Sequence, residues 1–185
     1  MLSGDFRIEA GAPGRQRRCC TGGFTLFELL VTLVVAAVLL AIAVPGLSGF
    51  VNSSRLRASQ SEFISALTLA RSEATKRGSN VVLLAATPVA GAEFNGGWRV
   101  FADTNGNNEF DAGELLIREY PPLQGDVKFS STGGVTFAAF TGRGFLSPAT
   151  TINFQLCGKP GVKKGYSVRL EPIGIADVVE GESCI

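Results

Sequence analysis

Gly23-Phe24-Thr25-Leu26-Phe27-Glu28-Leu29-Leu30-Val31 opens the stretch that decides the fold, because Glu28 stands at its head and residues 29–52 carry no charge at all. Residues 24–44 make a segment of 21 residues. As an α-helix that segment is about 31 Å long, the thickness of a bilayer's hydrocarbon core. An ionised carboxylate inside such a helix costs about 3 kcal/mol or more, so it calls for a partner. A membrane helix carrying one lone acid near its start points to assembly rather than to catalysis.

Two simpler explanations fit less well. A secretory signal has a shorter apolar core followed by a small-residue cleavage site, whereas here Ala41-Ile42-Ala43 runs directly into Val44-Pro45. A plain membrane anchor has no use for Glu28. The hexapeptide of residues 23–28 instead resembles the class III signal of type IV pilins and type II secretion pseudopilins. The resemblance implies that residues 1–23 are a leader, which a prepilin peptidase removes by cutting between Gly23 and Phe24 before methylating the new amino group of Phe24. Glu28 then becomes mature position five and Pro45 falls where pilins commonly carry a kinking proline. Both are implied assembly residues, with the Glu28 carboxylate pairing with the freed ammonium of a neighbouring subunit.

Charge distribution agrees with that orientation. The leader holds Arg7, Arg15, Arg17 and Arg18 against Asp5 and Glu9, while the remainder is close to neutral. A basic excess before the apolar run stays on the cytoplasmic side. The remainder then lies across the inner membrane, in the periplasm. Histidine is absent, which removes the commonest general base and the commonest metal ligand. No nucleophile elbow, phosphate loop or dinucleotide fingerprint is present either, and the expectation is a protein that is not an enzyme. In an exported domain Cys157 and Cys184 meet an oxidising compartment and are expected to form a disulfide. The alternative is two reduced, buried thiols.

Beyond Pro45-Gly46 the pattern becomes amphipathic. Leu56, Phe63, Leu67, Ala70 and Ala74 share one helical face, and Lys76-Arg77-Gly78 is a stop signal with cations in the last turn and glycine beyond it. Residues 45–78 are therefore read as the helix's continuation. Residues 79–185 form a β-rich globular domain, with short runs of Val, Ile, Phe and Thr expected as strands over 81–86, 98–102, 115–120, 127–130, 135–140, 151–157, 166–170 and 173–178. Their connections are too short for parallel crossovers. The fold class is α+β and pilin-like: a long N-terminal helix, half transmembrane and half amphipathic, packed on antiparallel sheets. Residues 69–78 and the segment Phe140-Thr141-Gly142-Arg143-Gly144-Phe145-Leu146 are similar to the GspH/FimT branch of the pilin superfamily.

Two further segments carry candidate ligands. Asp103, Asn105, Asn107, Asp111 and Glu114 place oxygens at positions 1, 3, 5, 9 and 12 of an EF-hand loop template, with calcium as the implied ion. The plainer reading is a solvated hairpin tip. Lys159, Lys163, Lys164 and Arg169 form a run of cations without an acid between them. In DNA-uptake minor pilins of the FimT type a basic C-terminal region contacts DNA through a Gly-Arg-x-Arg stretch, but here the comparable place reads Gly174-Ile175-Ala176-Asp177 and the tail is acidic. A solvated basic loop is the preferred reading of those cations. The function expected is a minor pilin or pseudopilin of a type II secretion system or type IV pilus, helping to initiate or tip a fibre. Its partners would be other pilins and a prepilin peptidase. A DNA-binding minor pilin for transformation is the alternative.

Overall fold

One helix, α1 (Leu26–Arg77), is followed by eight strands: β1 (Val81–Ala85), β2 (Trp98–Ala102), β3 (Leu115–Tyr120), β4 (Lys128–Ser131), β5 (Phe137–Phe140), β6 (Ile152–Cys157), β7 (Gly165–Leu170) and β8 (Ala176–Glu182). The computed structural model describes residues 23–158, 165–182 and 184, with the side chains of 43–48, 180 and 182 left aside. Two compact units divide the chain, residues 1–43 and 44–185.

In the first unit, Leu26, Phe27, Leu29, Leu33, Leu39, Leu40 and Ile42 are all more than half exposed. Among the described residues no helix is long and apolar enough to cross a membrane. The span expected over 24–44 runs into the stretch 43–48, whose side chains lie outside the described set, as does that of Pro45.

In the second unit α1 presents the expected face, and Leu56, Phe63, Leu67, Ala70 and Ala74 are all buried, joined by Ala66. The helix stops where its last-turn cations and Gly78 predict. Gly78 adopts φ 65°, the left-handed conformation that a glycine beyond a helix end tolerates without strain.

Both four-stranded sheets are wholly antiparallel, one ordered β3-β2-β1-β5 and the other β4-β6-β7-β8. Seven strands lie within two or three residues of their expected places. The last is shifted, to Ala176–Glu182 instead of 173–178. Glu171 to Gly174 close a turn, with the Gly174 amide bonded to the Glu171 carbonyl at 2.7 Å and Gly174 at φ 78°. That turn takes Ile173 out of the β ladder.

Helix and sheets meet at one aromatic cluster. The Phe63 ring centre lies 5.4 Å from Phe94, 5.2 Å from Trp98, 4.6 Å from Phe129 and 4.8 Å from Phe154, each contact edge-on. Trp98 belongs to the first sheet, Phe129 and Phe154 to the second, and Phe94 to the connection between β1 and β2. All five rings are fully or almost fully buried. Trp98 stacks in turn on Tyr120 at 5.3 Å.

Removing the central ring leaves a cavity lined by four neighbours, from three strands and one connection. Phe63→Ala is expected to cost about 3–5 kcal/mol, measured as a loss of melting temperature, whereas Phe63→Leu should cost clearly less.

Candidate functional site

The N-terminal segment is held by local chemistry. Gly23, Phe24 and Thr25 precede α1 and are exposed, Phe24 at 79%. Thr25 caps the helix: its Oγ1 accepts the Glu28 amide at 3.1 Å, its carbonyl accepts the Leu29 amide at 3.1 Å, and the Glu28 carboxylate accepts the Thr25 amide at 3.5 Å. This is a capping box, Thr-x-x-Glu, in which two otherwise orphaned amides are satisfied reciprocally. Glu28 also sits in the first turn, where the helix dipole favours a negative charge. The reading of Glu28 as an acid in want of a partner overlooks this role, although the Thr25-x-x-Glu28 spacing is its signature. The Gly23–Phe24 bond thus lies in exposed, non-helical chain beside a fixed helix start.

The loop between β2 and β3 does not gather its acids. Asp103, buried at 4% exposure, turns both oxygens on backbone amides, those of Gly106 at 2.6 Å and Asn108 at 3.1 Å. Asp111 Oδ2 accepts the side-chain amides of Asn105 at 2.8 Å and Asn107 at 2.7 Å. Those two donors hold its carboxyl below the ordinary range. Glu114 accepts the amides of Thr104 at 2.9 Å and Asp111 at 3.1 Å. Asn108 takes φ 62°, the left-handed place where the EF-hand template wants glycine.

Among the described residues no group of three or more His, Cys, Asp or Glu is placed to hold a metal ion. The oxygens of the calcium template close the loop by hydrogen bonding, as a hairpin tip does. What the loop delivers is Phe110, whose ring lies 5.2 Å from Phe101. Phe110 thereby packs on a second apolar cluster of Val82, Phe101 and Ala139 on the sheet's other face.

The basic candidates are separated. Lys159, Lys163 and Lys164 lie outside the described residues. Arg169 is on β7, its Nε 2.9 Å from Glu171, and in register with Asp177 across the strand pair. Its charge is paired with that of Glu171.

Cys157 and Cys184 do form the expected disulfide. The bridge lies against Gly165, where an added Cβ would meet both sulfurs. The hairpin over 140–146 packs onto the end of α1. Arg71 Nε donates to the Gly144 carbonyl at 3.1 Å, and Gly142 approaches the Gly78 backbone so closely that any side chain there would collide with it.

With this geometry in place, the chain can be set beside known proteins. Residues 59–174 match the family profile described as type II transport protein GspH, and residues 19–44 match the prokaryotic N-terminal methylation motif. The chain belongs to the GspH family. The pilin-like protein PilA1 of Thermus thermophilus is 38% identical over 92 residues, which is 50% of this chain and 54% of that protein. The chain thus matches about half the length of that curated relative.

Two crystal forms of the type IV minor pilin FimU of Pseudomonas aeruginosa share the fold. One has a TM-score of 0.61 at 18% identity, covering 74% of this chain and 99% of FimU. The other has a TM-score of 0.58 at 19% identity, covering 70% and 100%. These matches show the GspH family and the pilin-like α+β fold.

Asp103 anchors the loop that carries Phe110. Asp103→Ala removes a buried acceptor from two backbone amides and is expected to cost about 2 kcal/mol, read by chemical denaturation. Asn108→Gly, which suits the same backbone, should be near neutral.

Proposed function

We propose that this chain is a minor pilin or pseudopilin subunit, held in the bacterial inner membrane through residues 24–44 with its globular part in the periplasm, and later incorporated into a fibre. The observation that carries the proposal is Glu28, fixed in the first turn of a helix whose next residues expose one large apolar side chain after another. Those side chains need an apolar surrounding, first lipid and then the helices of other subunits. Membership of the GspH family and the methylation-motif match support the same reading.

A prepilin peptidase would cut between Gly23 and Phe24 and methylate Phe24. The exposed, non-helical chain on both sides of that bond suits such an enzyme. Release of the leader creates an ammonium at Phe24, one residue before Thr25, the capping partner of Glu28. In the fibre, Glu28 would exchange its single long hydrogen bond to Thr25 for the ammonium of a neighbour, a stronger charge-assisted contact. The pairing would set register between subunits. Pro45 would mark where the apolar and amphipathic parts of the helix meet.

The role is that of a structural subunit rather than an enzyme. It helps to initiate or tip a type II secretion pseudopilus or a type IV pilus, with other pilins as partners. DNA uptake is not favoured, since Arg169 is already paired with Glu171.

Glu28→Ala separates these roles. Processing and membrane insertion of the variant should match the wild type, while its amount in sheared fibres should fall at least about tenfold, as expected when one partner of a buried charge pair is removed. Wild-type amounts of the variant in fibres would contradict the pairing.

A further inference from the structure

Sheet edges expose unpaired amides and carbonyls that recruit other strands. Strand β4 is one edge of the second sheet, yet its outward groups are taken. The connection between β1 and β2 lays Glu93-Phe94-Asn95 along it. Asn95 Nδ2 donates to the Val127 carbonyl at 2.8 Å, and Asn95 Oδ1 accepts the Phe129 amide at 2.7 Å. The Phe94 amide donates to the Phe129 carbonyl at 3.1 Å. The Glu93 carboxylate accepts the Ser131 amide at 3.0 Å and, through its other oxygen, the Gly91 amide at 2.8 Å. Val127, Phe129 and Ser131 alternate along the strand, so these are the groups that a neighbouring strand would otherwise use.

We propose that Glu93-Phe94-Asn95 is an edge guard for the second sheet with one acid-sensitive arm: protonating Glu93 loosens its hold on the amides of Ser131 and Gly91, while Asn95 keeps its hold on Phe129. The two arms differ in chemistry. Asn95 has no charge to lose, and its bonds are indifferent to pH. Glu93 is 4% exposed, and its carboxyl accepts two backbone amides strongly only while ionised, since a proton on one oxygen weakens it as an acceptor.

Burial opposes the charge of Glu93. The backbone amides of Ser131, Gly91 and Glu93 itself outweigh that opposition, and Lys128 of β4 adds attraction, so the carboxyl titrates below its ordinary value. Lys128 is the charged side chain that acts on it among the described residues. A lowered value in the folded state means that the stabilisation is complete above the ordinary carboxylate pKa and is lost as pH falls through the folded one. Phe94 remains locked by its ring contacts with Phe63 and Phe129, so the guard loosens at one end instead of leaving the edge.

Amide hydrogen exchange on the full chain in detergent tests this, with protection corrected for the intrinsic pH dependence of exchange. As pH falls from about 7 through the folded pKa of Glu93, protection at Ser131 and Gly91 should fall about tenfold or more, while Phe129 holds within about twofold. In Glu93→Gln the Ser131 response to pH should vanish. Equal loss at all three amides, or an unchanged Ser131 response in Glu93→Gln, would overturn the proposal. Should that variant not fold, the contrast between Ser131 and Phe129 in the wild type decides alone.

Discussion

Phe63 is the contact on which the globular unit depends. A single helical side chain touches one aromatic ring of the first sheet, two of the second and one from the connection between β1 and β2. Two four-stranded sheets with separate orders have little reason to share a core unless something binds both. The amphipathic face of α1 does so, and its small residues Ala66, Ala70 and Ala74 let the strands approach the helix closely. The burial of five rings around one point supplies directional, edge-on packing as well as apolar area.

The same helix answers to two environments. Its later half is amphipathic and buries one stripe against the domain. Its earlier half exposes apolar side chains broadly and carries Glu28 at its start. Among the described residues the Glu28 carboxylate accepts the Thr25 amide at 3.5 Å, closing the capping box at the helix start.

Much of this was legible in the residues. Leu56, Phe63, Leu67, Ala70 and Ala74 lie at helical spacing, and each is buried. The helix stop follows from Gly78, and the disulfide from two cysteines in the part of the chain expected to be exported. Other features leave no local trace. Phe94 looks like a loop residue, since its burial depends on partners distant in sequence. Glu93 and Asn95 bond to groups 38 and 32 to 34 residues away, and no periodicity signals such pairs. The loop from Asp103 to Glu114 reads two ways. Its oxygens stand at calcium-like spacing, yet short polar side chains at that spacing also close the turn by themselves. Arg169 reads as a free cation only until strand register sets Asp177 opposite and Glu171 beside it.

The account as a whole rests on the chain being a processed pilin subunit whose helix begins at a newly made N-terminus. Intact-mass and N-terminal peptide spectrometry of the protein taken from native membranes tests that most directly. A mature chain starting at Phe24 and heavier by one methyl group is the expected result. A native protein that keeps residues on the leader side of Gly23, or that is cut after the apolar run instead, would contradict it.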